Sequence, residues 1–265
     1  MPPARSSQAR NRRVLKTPRL SERQISDFFR DGFVVFRQAF DAAEIERVEK
    51  WTRELAAKPE EVGKQWVFYE ESRKEPGKDL ICRIENITPF HPGFAELSET
   101  LKAPVGQLLG EKAMLFKEKI NFKMPGGDGF KPHQDSQAGW DQYADFFISA
   151  LVCIDEASLE NGCLKMVAGH HKRGVFRMWD PLTDEDMEGM DFVPYPTKPG
   201  DIAFFDCFCP HASEPNMSDN IRRLYFATYN KLSDGDHMAR YYADKRKNYP
   251  PDIERQAGRE YVFRV

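Results

Sequence analysis

The hydrophobic period of this chain changes near residue 113, and that change limits the available folds more than any other feature. Before it, apolar residues recur at helical spacing. Residues 21–30 carry Ile25, Phe28 and Phe29 behind a capping Ser21; Asp31-Gly32 ends the run, and FVVF (33–36) reads as a short buried strand. Residues 42–58 place Ile45, Val48, Trp51 and Leu55 on one helical face, and residues 94–110 do the same with Phe94, Leu97, Leu101, Val105 and Leu108. After residue 113 the period is two. Over 115–124, Phe116, Ile120, Phe122 and Met124 face one way and Lys117, Lys119, Asn121 and Lys123 the other. Further strands are expected over 146–154, after the Asn161-Gly162 turn, after Pro199-Gly200-Asp201, and over 222–230. Helices first and strands afterwards predict a mainly β protein with flanking helices, a sandwich or barrel buttressed on one side.

Charge narrows the partners. The 265 residues carry a net charge of −3, but residues 1–20 hold Arg5, Arg10, Arg12, Arg13, Lys16 and Arg19 and no acid. Taking that +6 away leaves −9 for the rest. An acidic body argues against nucleic acid as a partner, because phosphate neutralisation needs a basic face. The basic segment reads as a disordered tail (1–20) before a single domain (21–265). An organelle transit peptide is the competing reading, and Pro2, Pro3 and scattered polar residues spoil its amphipathic helix. The longest nearly apolar stretch, 146–154, is too short for a membrane span. Five cysteines (Cys82, Cys153, Cys163, Cys207, Cys209) form no CxxC pair, so a reducing compartment, the cytoplasm, is expected, and Cys207 and Cys209 read as small apolar fillers on one strand face. Nothing in the sequence fixes an oligomeric state.

The chemistry lies in the histidines. Of His91, His133, His170, His171, His211 and His237, only His133 precedes an acid two residues on, Asp135. On an extended backbone those two side chains point the same way and can grip one ion. His211, just past the strand expected over 202–208, is the best third ligand. Two imidazoles and one carboxylate form the facial triad of non-haem Fe(II) oxygenases, with three positions left open. The plainer alternative for His133 and Asp135 is a turn in which the aspartate accepts backbone hydrogen bonds. Arg222 lies eleven residues after His211, with Ser213 between them, and a guanidinium beside a hydroxyl suits the distal carboxylate of a 2-oxo diacid. Strand parity puts Arg222 and Arg223 on opposite faces, so one should face solvent. A cupin-type isomerase or zinc hydrolase would use the same three ligands without that clamp.

The runs KPHQD, ENGCLKMVAGHH (160–171), KPGDIAFFDCFCPHAS and NIRRLYFATYN, with the earlier helix, DGF, strand, helix order, resemble the phytanoyl-CoA dioxygenase family over about residues 20–230. The resemblance implies an Fe(II)- and 2-oxoglutarate-dependent hydroxylase that consumes O2, on a double-stranded β-helix (jelly-roll, cupin-like) core. It implies His133, Asp135 and His211 as iron ligands. It also implies Arg222 and Ser213 as anchors of 2-oxoglutarate, with Asn121 or Lys119 as further candidates. Retention of Asp135 favours hydroxylation over halogenation. Trp140 and Tyr143, after the triad, are expected at the mouth of the site. Tyr69 and Glu70, in WVFYEE with Arg83, Glu85 and Asn86 downstream, are expected to meet a small polar substrate. The C-terminal run 241–265 is similar to bacterial relatives that hydroxylate 2-aminoethylphosphonate-type compounds. An acyl-CoA, a natural product and an amino-acid derivative are the other substrate classes.

Overall fold

A computed structural model describes residues 15–262. The helical periods of the first half form α1 (Glu22–Asp31), α2 (Ala42–Ala56) and α3 (Pro92–Leu109). Ser21 and Gln24 cap α1 reciprocally, and Gly32 closes it at φ 87°, a left-handed backbone that glycine adopts without a Cβ clash. Asp41 and Glu44 cap α2 in the same way. The ring of His91 accepts from the Phe94 N–H at the start of α3, so this histidine is a helix cap.

Eleven strands form two antiparallel sheets among the described residues. The larger runs in the order β1 (Phe33–Phe36), β9 (Ile202–Asp206), β6 (Ile148–Cys153), β11 (Arg222–Lys231), β4 (Ala113–Lys123), β3 (Asp79–Glu85) and β2 (Trp66–Glu71). The smaller runs β5 (Phe130–His133), β10 (His211–Ser213), β7 (Leu164–Met166) and β8 (Val193–Pro194). This is a double-stranded β-helix.

Register fixes which face each residue serves, because directly opposed residues point to the same side. Ile120, Tyr225, Ala227, Ile148 and Phe204 share a core cluster with Val48, Leu97, Leu101 and Val105 of the helices. Each such large apolar side chain contributes about 1.5–3 kcal/mol on burial. The opposite parity faces inward. Arg83 pairs with Asn121, Asn121 with Leu224, and Leu224 with Cys153. Glu85 pairs with Lys119, Lys119 with Phe226, and Phe226 with Leu151. The lysine face of β4, alternating with the helix-packed face, therefore lines the interior between the sheets.

Four expectations change. Residues 15–20, expected as tail, are packed: Leu15 and Leu20 are buried, the Leu15 N–H donates to Glu96 (2.9 Å), and Leu20 exchanges hydrogen bonds with Gln107 (2.8 and 3.0 Å). The expected disorder of 1–14 lies outside the described residues. The first hundred residues also hold β2 and β3, whose mixed aromatic and charged residues lack a clean alternation. A fourth helix, α4 (Met238–Asn248), was not anticipated because its residues are mostly polar. Arg223 does take the opposite face from Arg222, but instead of facing solvent it is paired with Asp155 (2.7 Å) and Glu49 of α2 (3.2 Å).

Candidate metal centre and cavity

His133 ends β5 and His211 opens β10, and the two are opposed in register. Their rings stand 4.2 Å apart, centroid to centroid. Asp135 begins the turn after β5. One nitrogen or oxygen from each of His133, Asp135 and His211 lies within 4.8 Å of the others. The tautomers follow from the neighbours. His133 Nδ1 is 2.7 Å from the Lys131 carbonyl and His211 Nδ1 is 3.0 Å from the Cys209 carbonyl. A carbonyl only accepts, so each Nδ1 carries the proton and each Nε2 lone pair is left for a metal. Burial, then the neighbouring His211 ring, holds His133 down to about 3, and burial lowers His211 as well, so both imidazoles are neutral. Asp135 is held below the usual carboxylate range: burial opposes this, but His211, Lys117 and Lys119 outweigh it.

The turn is held from behind. Gln134, between the two ligands, is fully buried on the other side and bonds the carbonyls of Gly174 (2.8 Å) and Phe208 (2.6 Å). Asp135 Oδ2 accepts from Ser149 Oγ (3.0 Å), which meets Thr228 Oγ1 (2.9 Å). An N2O donor set with oriented imidazoles and a steadied carboxylate fits ferrous iron. His91, His170, His171 and His237 take no part in any metal-sized cluster among the described residues; His171 packs on Gly32 instead.

The inner face of β4 divides the interior. At one end Lys123 opposes Arg222 directly, and both are about 2% exposed. Among the described residues Arg222 has no carboxylate within ion-pair reach and its Nε has no hydrogen-bond partner, and burial lowers the guanidinium to about 10. Lys123 Nζ donates to Ser213 Oγ (2.8 Å) and to the Glu214 carbonyl. Burial, then the charge of Arg222, lowers it to about 6. Ser213 follows His211 by two on the same strand and so shares its face. Arg222, Lys123 and Ser213 thus bring three donor groups together with no acidic partner among the described residues, an arrangement suited to an anion. The carboxamide oxygen of Asn121, one inward position along from Lys123, is also buried with no partner among the described residues. The sequence places Lys123 on the polar face of its strand without separating it from the other lysines there; its opposition to Arg222 of β11 picks it out.

At the other end Lys117 and Lys119 border a cavity of about 640 Å³ that reaches His133 and Asp135. Its wall also includes Arg83, Glu85, Tyr143 and, from α4, Tyr241 and Lys245. Neither Lys117 nor Lys119 has a hydrogen-bond acceptor or ion-pair partner among the described residues. Lys117 lies 4.0 Å over the Trp140 ring, and Lys119 lies 5.3 Å from that of Phe226. Burial lowers both; the charge of Lys119 adds to the effect on Lys117, and that of Arg83 to the effect on Lys119.

The expected substrate residues divide. Tyr143 lines the cavity, its hydroxyl donating to Asp244 (3.0 Å). Trp140 is buried behind Lys117, against Phe116 and Phe147. Tyr69 and Glu70 are not in the cavity wall. A bulge after Phe68 ends the alternation of β2, leaving Tyr69 exposed and bonded to Glu60 (2.5 Å), and Glu70 accepting from the Asp128 N–H (3.0 Å).

The model of the family described as Phytanoyl-CoA dioxygenase (PhyH) matches residues 28–224. A 2-aminoethylphosphonate dioxygenase of uncultured bacterium HF130_AEPn_1 is 38% identical over 235 residues, 87% of this chain and 89% of the relative. A methylphosphonate hydroxylase of Gimesia maris is 34% identical over 234 residues, 87% and 88% of the two chains. Among solved structures, EctD from S. alaskensis with 2-oxoglutarate and 5-hydroxyectoine superposes with a TM-score of 0.70 at 25% identity, over 85% of this chain and 86% of that one.

Proposed function

We propose that this chain, which belongs to the phytanoyl-CoA dioxygenase family and is an Fe(II)- and 2-oxoglutarate-dependent dioxygenase, hydroxylates an aliphatic carbon of a small organophosphonate. The single observation that carries the substrate class is the pair Lys117 and Lys119, which line the same cavity as His133 and Asp135 and have no acceptor of their own among the described residues. A doubly charged phosphonate supplies the missing acceptors, and its binding would return both ammonium groups toward the charged state. The relatives that act on 2-aminoethylphosphonate and methylphosphonate favour the same class. An acyl-CoA chain finds no support in a wall that carries Arg83, Lys117, Lys119 and Lys245. A cupin-type enzyme working without 2-oxoglutarate falls away with the family membership.

Within this reading, His133, Asp135 and His211 hold the iron, which with 2-oxoglutarate and O2 supplies the oxidising power for C–H hydroxylation. Arg222, Lys123 and Ser213 bind the distal carboxylate of the cosubstrate through their N–H and O–H donors; Asn121, one inward position along, could add only its amide N–H. Ser149 holds Asp135 at its Oδ2, and Gln134 keeps the ligand-bearing turn in place. Lys117 and Lys119 orient the substrate head so that its carbon chain faces the triad. Tyr143 and Tyr241 keep water from the cavity mouth.

The test is a succinate-release screen of the iron-loaded enzyme over phosphonates, quaternary amines, amino acids and acyl-CoAs, with product identification. A phosphonate should give coupled turnover and a hydroxylated product. Coupled turnover with another class, and none with any phosphonate, would reject the substrate assignment.

A further inference from the structure

Part of the cavity wall comes from chain beyond the family match, which stops at residue 224. Tyr241, Asp244, Lys245 and Asn248 of α4 all line the cavity. They recur at i, i+3, i+4 and i+7, so one stripe of the helix is turned inward. That stripe is polar, as a surface helix would be, yet Tyr241 and Tyr242 are buried and pack against Phe116 and Trp66. The Tyr242 hydroxyl donates to the Glu118 carbonyl (3.0 Å), which fixes the helix against β4.

Lys245 reaches from this helix to the opposite wall. Its Nζ lies 2.8 and 2.5 Å from the two oxygens of Glu85, and the same carboxylate lies 2.9 Å from Arg83 Nε. One acid thus serves two cations while Lys117 and Lys119 have none. Burial works against ionisation of Glu85, but Lys245 and then Arg83 hold its carboxyl down to about 2, so its charge is fixed. Asp135 belongs to the triad and Asp244 is engaged by Tyr143 and Lys247. The cavity therefore has more positive charge than its own acids balance, gathered from β3, β4 and α4.

We propose that Lys245, carried by α4 and aimed by Glu85, is a specificity-determining residue that grips the oxyanion head of the substrate together with Lys117 and makes the site prefer a doubly charged head to a singly charged one. This rests on the organophosphonate reading above and adds where selectivity resides. Glu85 is a positioning residue: it is saturated by Lys245 and Arg83 and does not itself receive a substrate ammonium group. The physical basis is the number of cations that converge. A monoanion of the same shape leaves Lys117 or Lys119 short of an acceptor and offers no further oxygen to Lys245, whereas a dianion with three oxygens serves both lysines and also draws Lys245, which Glu85 holds at the cavity wall.

The experiment uses the full chain loaded with Fe(II) and 2-oxoglutarate under anaerobic conditions, titrated calorimetrically with methylphosphonate and with its near-isosteric monoanion methanesulfonate. Wild type should prefer methylphosphonate. Lys245→Met should lower that preference about tenfold or more, the loss of one charge-assisted contact, and leave 2-oxoglutarate affinity within about twofold. Lys245→Arg should keep most of it. Because Lys245→Met leaves Glu85 with Arg83 alone, Glu85→Gln/Lys245→Met removes both charges and should lose the preference equally. Wild-type preference retained in the single or the double variant overturns the role of Lys245 while leaving the substrate class intact. A wild-type enzyme that binds neither methylphosphonate nor 2-aminoethylphosphonate overturns both.

Discussion

Replacing Arg222 by alanine should produce two opposite effects in one variant. In the protein without ligands the guanidinium is buried, no carboxylate among the described residues pairs with it, and burial lowers it to about 10, well below the ordinary guanidinium range. That displacement corresponds to about 3 kcal/mol by which the fold disfavours the charge. Arg222→Ala removes this cost, and it also removes the charge that helps lower Lys123. Part of the gain is lost to the cavity that the truncation leaves. The ligand-free variant should be as stable as wild type or more so. Its response to 2-oxoglutarate should collapse. Removing one partner of a buried charge pair costs about 3–5 kcal/mol, a loss of roughly two to four orders of magnitude in affinity. Thermal unfolding with and without 2-oxoglutarate, in the presence of Fe(II), reads both effects, since a ligand stabilises the folded state by RT ln(1 + [L]/Kd). Wild type should gain stability with cosubstrate and Arg222→Ala should gain almost none, while iron binding is preserved. A variant that is strongly destabilised without ligand, yet keeps the wild-type shift with 2-oxoglutarate, would refute the argument and make Arg222 a structural residue.

Two further outcomes follow from groups around the site. Ser149→Ala deletes the hydroxyl that donates to Asp135 Oδ2 and should weaken Fe(II) binding about 10–100-fold in a competitive chelator titration, with the fold unchanged by circular dichroism. Glu118, on the outer face of β4, is raised from 4.5 to about 8 by burial, although the N–H groups of Ile87 and Thr88 partly offset the effect. The folded state holds that proton more tightly than the unfolded chain, so its contribution to stability is complete below about pH 4.5 and is lost as pH rises through 8. Glu118→Gln should flatten this slope and be the more stable protein, by up to a few kcal/mol, at pH 8.5 and above; equal pH slopes of denaturant midpoints for the two proteins would show that Glu118 is ionised in the fold.

The sequence by itself determined whatever depends on local spacing. The change of period at residue 113 separated the buttressing helices from the β core. The two-residue step put His133 and Asp135 on one side of the chain. Parity assigned Arg222 and Arg223 to opposite faces, although it took the packing of α2 to give Arg223 its partners Asp155 and Glu49. Tertiary structure decided everything that depends on register between distant segments. Lys123 meets Arg222 only because β4 lies against β11 in that register. Glu85 and Lys245 are 160 positions apart, and no periodicity in either segment predicts that one aims the other. The bulge after Phe68 removed Tyr69 and Glu70 from the site, though their composition had suggested a place there. A one-residue shift in strand pairing moves every side chain to the other face. The interior of a jelly roll is therefore set by alignments among strands far apart in the chain, and those alignments decide which of several equivalent lysines, arginines and acids meet around the metal.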